Sequence, residues 1–182
     1  MLGIRLPTRY RYYSIQLFEL HPEVRAMRRD LTRRLGDQSV LEIGCGFGAN
    51  ARRCRGPYLG VDPDADAVAE ARRRNPDRRF GSPADAHEAD AQTVLFCLVL
   101  HETEQREALL NQAADLAPAR VLIYDFDPRL GGVNRLRVSL LEEQAIRSYW
   151  GFDPAGVLAG RGYSPTDGGS IGSRIRFWEL ER

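Results

Sequence analysis

Three glycines at alternate positions follow a short apolar run in the first third of the chain. Val40–Ile43 is apolar except for Glu42, which suits a buried strand, and Gly44, Gly46 and Gly48 come next. Glycine has no Cβ, so a turn built from these residues can bring its backbone close to a ligand. A helix that begins after such a turn leaves unpaired N–H groups beside that ligand. The pattern therefore predicts a backbone-lined ligand site at the end of this strand.

An acidic residue follows at a spacing that suits an adenosine ligand. A second apolar run, Tyr58–Val61, ends at Asp62, which lies 18 positions after Gly44. In dinucleotide-binding folds, a carboxylate at ~20 residues from the glycine turn binds the ribose. Because a carboxylate accepts hydrogen bonds from both hydroxyls of a cis-diol, Asp62 predicts ribose binding.

Residues 40–48, Val-Leu-Glu-Ile-Gly-Cys-Gly-Phe-Gly, resemble motif I of the class I methyltransferases that use S-adenosylmethionine. Asp62 matches the acid of the family's motif II. The stretch Leu-Val-Leu-His at 98–101 is similar to one often found after the fourth strand of small-molecule members. The resemblance covers roughly residues 40–182 and is most specific over residues 40–62.

This resemblance implies S-adenosylmethionine as cofactor and S-adenosylhomocysteine as product. The family usually has Gly-Asp-Ala where this chain has Gly81-Ser82-Pro83, so either Ser82 or Asp85 is expected to contact the adenine. The residues that the resemblance places at the cofactor are Glu42, Gly44, Cys45, Gly46, Asp62, Pro63, Ser82, Pro83, Phe96 and Cys97.

Fewer residues of the sequence indicate where the methyl acceptor binds, because methyl transfer depends chiefly on how the acceptor is positioned. His101 is the candidate general base, since histidine has an unperturbed pKa of about 6.5. The alternative is a histidine bonded to loop backbone. By the same resemblance Tyr12 and Tyr13 are candidate lid residues that contact substrate, or else they pack an N-terminal arm onto the domain. Asp127 either contacts substrate or turns the chain before Pro128.

Strands and helices alternate over most of the chain. The predicted strands are Val40–Ile43, Tyr58–Val61, 78–80, Thr93–Cys97 continued by 98–102, 121–126, 163–165 and 173–180. The predicted helices include 23–35, Ala65–Arg74 and 104–116. A solvated helix face is expected at Arg28, Arg29, Arg33 and Arg34, and a glycine-rich loop at 167–172.

This alternation predicts the α/β class, with a parallel sheet. The resemblance specifies a three-layer Rossmann-like methyltransferase fold, with a mostly parallel seven-stranded sheet and an antiparallel last strand. We expect a single domain over 1–182, with an N-terminal lid or helix segment (1–36), a cofactor-binding half (37–130) and a substrate-side half (131–182).

Composition excludes several function classes. All 26 basic residues are arginine, which rules out a Schiff-base lysine and a P-loop lysine. The formal net charge of +1 argues against nucleic acid and acidic membranes as partners. Three cysteines without a Cys-x-x-Cys pair, and three scattered histidines, predict neither a disulfide framework nor a metal site. With no apolar run of signal-peptide or membrane-span length, we expect a soluble cytoplasmic protein.

The leading hypothesis is methyl transfer from S-adenosylmethionine to a small molecule. A nicotinamide-dependent oxidoreductase is the second, because Gly44, Gly46 and Ala49 also satisfy Gly-x-Gly-x-x-Ala and Asp62 would serve NAD equally well. A non-catalytic subunit that binds the cofactor or a partner through the same fold is the third. The residues identify neither the acceptor nor the oligomeric state.

Overall fold

The computed structural model describes residues 20–132, 135 and 145–182. Its helices are α1 (Pro22–Leu35), α2 (Ala65–Arg74), α3 (Arg106–Asp115), α4 (Ile146–Tyr149) and α5 (Pro154–Ala159). Its strands are β1 (Val40–Ile43), β2 (Tyr58–Val61), β3 (Arg79–Gly81), β4 (Thr93–Cys97), β5 (Arg120–Phe126), β6 (Ser164–Ile171) and β7 (Ile175–Glu181). Short 3-10 helices cover Ala51–Arg53, Pro83–Glu88 and Leu100–Glu102.

The seven strands form one sheet in the order β3-β2-β1-β4-β5-β7-β6. Strands β1 to β5 are mutually parallel, and β7 is antiparallel to both β5 and β6. The chain moves outward from β1 to β3 and then crosses back to β4, so its direction of travel reverses between β1 and β4. The predicted fold class and the antiparallel last strand are confirmed.

Two apolar layers cover the sheet, one on each face. In β5, Leu122 and Tyr124 pack with α1 residues such as Met27, while Val121 and Ile123 pack with α3 residues such as Leu110. Alternate residues of a strand point to opposite faces, so a strand covered on both sides is apolar throughout. This explains why the central strands show continuous apolar runs instead of alternation.

Local capping signals set the ends of two helices. The side chain of Asp64 accepts from the N–H groups of Asp66 and Ala67 at the start of α2. Asp153 accepts from Ala155 N–H at the start of α5, which has Pro154 at its first position. Both arrangements satisfy N–H groups that a helix leaves without partners in its first turn. The predicted bounds of α2 are those observed.

Three local predictions are wrong. β4 ends at Cys97 and does not continue through 98–102, because Leu98 adopts a positive φ of 58° and the next residues form a 3-10 helix. Most of the predicted loop at 167–172 belongs to β6, which pairs with β7. The arginine face of α1 is not uniformly solvated, since Arg28 is buried.

Arg34, in the last turn of α1, is enclosed by acidic side chains. Its guanidinium pairs with Asp30, Asp167 and Glu179, and it lies 4.0 Å from the centre of the Phe177 ring. These carboxylates come from α1 and from the β6–β7 pair, which are far apart in the sequence. Arg34 therefore joins the N-terminal helix to the last two strands.

Candidate functional site

Five strand ends meet at one edge of the sheet. Because β1 to β5 run parallel, the residues that follow them lie along the same edge: Gly44, Asp62, Ser82, Leu98 and Asp127. By the topology of open α/β sheets, the crevice that binds a ligand lies outside the ends of β1 and β4, where the chain reverses direction. In open α/β sheets, ligands bind at such a switch point. Gly44, Asp62 and Ser82, which were singled out from the sequence, therefore lie along one edge.

The glycine turn after β1 is held against β2. The N–H groups of Gly44 and Cys45 both donate to the carbonyl of Val61, at 2.9 and 3.1 Å. Gly44 has φ of 74°, and a Cβ at this position would lie 2.3 Å from a methyl group of Val99. Any larger residue would collide with the loop that follows β4. Gly44 is therefore required for the close approach of the two loops that border the crevice.

Gly46 differs from Gly44 in its surroundings. It has φ of 49°, and a Cβ built on it would meet no described atom within 4 Å. Its N–H donates to Asp62 Oδ2 at 2.8 Å. The other oxygen of Asp62 accepts from Asp64 N–H at 2.9 Å. Two backbone donors thus fix the Asp62 carboxylate beside the open face of the glycine turn.

Glu42 is buried beneath the turn, within a polar network that joins α1, β1, β2 and β4. Its carboxylate accepts from the Asn50 side-chain amide at 2.6 Å and from the Tyr58 hydroxyl at 2.5 Å. The Asn50 amide oxygen accepts in turn from Arg28, whose guanidinium also lies 3.1 Å from Cys97 Sγ. This network connects α1 to the ends of β1 and β4.

Burial has the largest effect on the pKa of the Glu42 carboxyl. Loss of hydration raises the pKa of Glu42 to about 7, against hydrogen bonds from Tyr58 and Asn50 and the charge of Arg28, which favour the ionised form. The negative charge of Asp62 also raises this pKa. Glu42 therefore supports the turn from below and changes its charge near neutral pH.

Glu42 should make folding stability dependent on pH. Since its pKa is higher in the folded chain than the ordinary value of 4.5, the folded state binds the proton more tightly. The free energy of unfolding should then fall by about 3 kcal/mol as pH rises from about 4.5 through about 7. Urea unfolding of wild type and Glu42→Gln at pH 5, 6, 7 and 8 tests this prediction. A constant difference between the two proteins across this range would contradict it.

Cys45 is not suited to nucleophilic chemistry. It is buried, and desolvation, followed by the charges of Glu42 and Asp62, raises the pKa of its thiol far above the ordinary range. Burial likewise raises the pKa of Cys97 to about 11. All three cysteines are buried free thiols. Cys45 is a small buried residue of the turn.

The residues expected at the adenine lie after β3. Ser82 and Pro83 are exposed, and the Asp62 N–H donates to Gly81 O, which brings β3 next to Asp62. Asp85 folds back so that its Oδ2 accepts from the Ser82 N–H at 2.7 Å and from its hydroxyl at 3.0 Å. Ser82 and Asp85 therefore form one capping unit at the edge of the sheet. Their contact with adenine stays a prediction.

At the end of β4, Phe96 and Cys97 can offer only their backbone to the crevice. The Phe96 side chain is completely buried in the apolar layer, and Cys97 is 8% exposed and faces Arg28. Leu98 then takes its positive φ, and its N–H donates to Tyr124 O at 2.7 Å. This residue carries backbone strain of about 1–2 kcal/mol at the rim of the crevice.

His101 forms a buried pair with Asp125, the penultimate residue of β5. Its Nδ1 lies 2.6 Å from Asp125 Oδ1, and Asp125 also accepts from the N–H groups of Leu100, His101 and Phe126. The Nε2 atom lies 3.8 Å from a carboxylate oxygen of the exposed Glu102. Only the fold shows that Asp125 orients the imidazole of His101.

Arg106 holds the segment that contains His101 in place through hydrogen bonds from its guanidinium. Its guanidinium donates to Leu100 O at 3.0 Å, to Ala145 O at 3.0 Å and to Ser148 O at 3.1 Å. The rings of Phe126 and Tyr149 lie 4.7 and 6.3 Å from the His101 ring, centre to centre. Arg106 thus fixes the 3-10 helix of His101 against α4, and desolvation lowers its pKa.

Asp127 has a structural role in the described part of the chain. Its side chain accepts from Arg129 N–H at 3.0 Å, and its carbonyl accepts from Leu130 N–H at 2.9 Å, which makes a turn after β5. Burial acts to raise the pKa of Asp127, but hydrogen bonds from Arg129 lower it overall. Its contact with substrate stays a prediction. Tyr12 and Tyr13 lie outside the described residues.

Four residues that support the site were not predicted from the sequence: Arg28, Asn50, Tyr58 and Arg106. Each is polar and buried or mostly buried, and each has partners from distant segments. The only sequence signal was a helical pattern that turns Arg28 toward the side of α1 next to Met27. No group of three or more histidine, cysteine or acidic residues suited to a metal occurs in the described ranges. No described helix has the length and apolarity of a membrane span.

A protein-family model and several solved structures of methyltransferases match this chain. A family model described as a methyltransferase domain matches residues 41–123, which contain the glycine turn, Asp62 and the end of β4. Magnesium protoporphyrin IX methyltransferase from Synechocystis PCC 6803, solved with bound SAH, superposes with a TM-score of 0.66 at 19% identity. That match covers 88% of this chain and 83% of the other. No curated protein sequence matches the chain.

Two further structures share the fold and differ in their described acceptor. The N-methyltransferase NodS from Bradyrhizobium japonicum WM9 has a TM-score of 0.63 at 15% identity, over 90% of this chain and 98% of that one. The CurJ carbon methyltransferase has a TM-score of 0.70 at 14% identity, over 97% of this chain and 59% of that one. At such identities the likeness shows the fold alone, and the fold does not determine the atom that is methylated.

Proposed function

We propose that this chain, as a member of the class I S-adenosylmethionine-dependent methyltransferases, transfers a methyl group to a small-molecule acceptor. The observation that carries the proposal is the Asp62 carboxylate, fixed by Gly46 N–H and Asp64 N–H beside the glycine turn. This arrangement lies where the sheet reverses direction, which is where an adenosine-containing cofactor binds in such folds.

The residues present fit S-adenosylmethionine. Gly46 leaves open space along the turn, and both oxygens of Asp62 keep acceptor capacity for the two ribose hydroxyls. Backbone of the turn and of Phe96 and Cys97 would line the methionine portion, with Pro63, Ser82 and Pro83 toward the adenosine. The cofactor, when bound, supplies an activated methyl group on a sulfonium. The residues named here bind and orient it.

We assign to His101 the role of general base toward the methyl acceptor. Asp125 holds its Nδ1, which fixes the direction of Nε2. An imidazole held in this way can take a proton at Nε2 from a hydroxyl or ammonium group as it becomes the nucleophile. Tyr12, Tyr13 and Asp127 complete the proposed substrate side, and residues 37–130 and 131–182 act as cofactor and substrate halves of one domain. The small net charge and the buried thiols support a small-molecule substrate and a cytoplasmic location.

A titration with cofactor analogues tests this function. Calorimetry of the wild type should show binding of S-adenosylhomocysteine and none of NADH, and labelled S-adenosylmethionine should then be used to screen small-molecule acceptors. Binding of NADH alone would favour the oxidoreductase alternative. S-adenosylhomocysteine binding without transfer to any acceptor class would favour the non-catalytic alternative.

Gly46 should be needed for the cofactor and not for the fold. Gly46→Ala would place a Cβ in the open space of the turn, whereas Gly36→Ala puts one in equally open space at the end of α1, where φ is 54°. Each change should cost about 1–2 kcal/mol of stability because of the left-handed backbone. Only Gly46→Ala should also raise the Kd of S-adenosylhomocysteine, by about tenfold, or about 1.4 kcal/mol. Equal Kd values for the two variants would contradict a ligand at this turn.

A further inference from the structure

His101 has a carboxylate beside each nitrogen of its ring. Its Nδ1 lies 2.6 Å from Oδ1 of Asp125, and its Nε2 lies 3.8 Å from Oε1 of Glu102. The two acids have different surroundings, because the Glu102 side chain is 59% exposed and that of Asp125 has no exposed surface. Asp125 orients the imidazole from inside the fold, whereas Glu102 has no role in the proposed function.

Glu102 is the exposed part of this arrangement. His101 is 3% exposed, and its ring packs against those of Phe126 and Tyr149, at 4.7 and 6.3 Å between ring centres. His101 and Glu102 both lie in the 3-10 helix that follows β4, at the edge of the sheet where the chain reverses direction. A ligand that reaches Nε2 of His101 therefore comes close to the Glu102 carboxylate as well.

The spacing of these two groups suits a single nitrogen atom as their common donor. Because Asp125 accepts at Nδ1, the neutral imidazole carries its proton there and Nε2 is an acceptor. Nε2 and Oε1 of Glu102 are 3.8 Å apart, so one donor atom can lie about 2.8–3.0 Å from both. An ammonium group has three N–H donors and can bond to both acceptors at once, whereas a hydroxyl group has one donor.

This contact does not require an unpaired Glu102. Glu102 and His101 also make other contacts within the protein. A carboxylate has about four acceptor positions, so an exposed one can accept from a ligand in addition to its existing partners. The argument for an ammonium group therefore depends on the distance between Glu102 and Nε2 and on the exposure of Glu102.

The charge of Glu102 also favours an amine over a hydroxyl as the nucleophile. A protonated amine is attracted to the carboxylate, and proton transfer to Nε2 moves the positive charge onto an imidazole that lies beside the same carboxylate. A hydroxyl that loses its proton there becomes an oxyanion, and the negative charge of Glu102 disfavours it. Glu102 therefore stabilises the reacting state of an amine and opposes that of a hydroxyl.

We propose that Glu102 selects a protonated amine as the methyl acceptor, by accepting a hydrogen bond from the ammonium group beside Nε2 of His101. The inference rests on the proposed function for the methyl donor. The ammonium gives one proton to Nε2, and the freed lone pair takes the methyl group of S-adenosylmethionine as its carbon–sulfur bond breaks. The products are the methylated ammonium, S-adenosylhomocysteine and protonated His101, so the total charge is conserved.

Binding of a simple amine to the protein without cofactor tests this role. The probes are phenethylamine, which is protonated at neutral pH, and phenethyl alcohol, which has a hydroxyl in place of the ammonium. The chain has 3 histidines, so the nitrogen resonances of their rings can be followed separately by NMR, and His101→Gln assigns those of His101. Glu102→Gln removes the carboxylate. Glu107→Gln makes the same change on an exposed acid in the first turn of α3 and is the control.

The amine and the alcohol should give different results. Phenethylamine should shift the Nε2 resonance of His101 saturably, with the same apparent Kd in the wild type and in Glu107→Gln. The apparent Kd of phenethylamine should rise by about tenfold or more in Glu102→Gln, because that change removes a charge-assisted hydrogen bond. Phenethyl alcohol should bind the wild type about tenfold or more weakly than the amine, for the same reason.

Three results would each overturn the inference. The first is an unchanged His101 resonance when phenethylamine is added to the wild type. The second is an equal Kd of phenethylamine for the wild type and Glu102→Gln, and the third is an equal Kd of the amine and the alcohol for the wild type. Failure of the wild type to bind S-adenosylhomocysteine would contradict the proposed function instead, because the amine measurement is made without a cofactor.

Discussion

Replacing Asp62 with alanine is expected to raise the Kd of S-adenosylhomocysteine by at least about 100-fold. The carboxylate is held by Gly46 N–H and Asp64 N–H, so its position does not depend on a ligand. Two hydrogen bonds that the ribose hydroxyls donate to a charged carboxylate contribute about 1.5–3 kcal/mol each, and their joint loss corresponds to 100-fold or more. Calorimetric titration of both proteins measures the effect.

Asp66→Ala is the matched control for this experiment. Asp66 is an exposed acid in the first turn of α2, four residues from Asp62, and the cap of that helix is provided by Asp64. It should keep the wild-type Kd. Circular dichroism of Asp62→Ala should show a folded protein, because the lost side chain is partly exposed. A folded Asp62→Ala protein that binds S-adenosylhomocysteine within threefold of the wild type would place the ribose elsewhere.

The second large effect concerns His101. His101→Gln should lower kcat for methyl transfer by about 100-fold or more, which is the lower range of a general base. The Kd of S-adenosylhomocysteine should stay within about twofold, because the proposed cofactor contacts come from the glycine turn and from Asp62. Single-turnover transfer from labelled S-adenosylmethionine, once an acceptor is found, measures the rate.

His87→Gln makes the same chemical change on an exposed histidine and should leave kcat unaltered. Asp125→Asn, which removes the carboxylate from the pair, should shift the pH dependence of kcat, an effect that a purely structural role for His101 would not produce. If kcat and the folded fraction fall in parallel in His101→Gln, His101 only stabilises the loop after β4.

The edge of the sheet that carries the glycine turn could be predicted in detail because its signals are local. Val40–Ile43 forms a buried strand because its residues are mostly apolar. Gly44 has no Cβ and therefore adopts the positive φ that the turn requires. Asp64 caps α2 with its own side chain. Each of these outcomes depends on a few consecutive residues. The order of the strands then follows from the alternation of strands and helices and from the family resemblance.

The polar interactions around that edge could not be predicted, because their partners are far apart in sequence. Arg28 reads as one of several arginines on an amphipathic helix, and only packing of α1 against the ends of β1 and β4 buries it. Residues 167–172 read as a loop in the sequence, because their glycines and polar residues show no apolar alternation. Backbone pairing with β7 makes it a strand at an exposed edge.

The sequence by itself determined the class of the fold, the glycine turn and the acid that faces it, since short-range backbone preferences and residue spacing specify these features. Only the tertiary structure decided that Asp125 orients His101 and that Glu42 lies in a buried hydrogen-bonded network with Asn50 and Tyr58. Such arrangements depend on which distant side chains are brought together and removed from water. Charge, burial and hydrogen bonding at those positions are properties of the packed chain, and no local pattern specifies them.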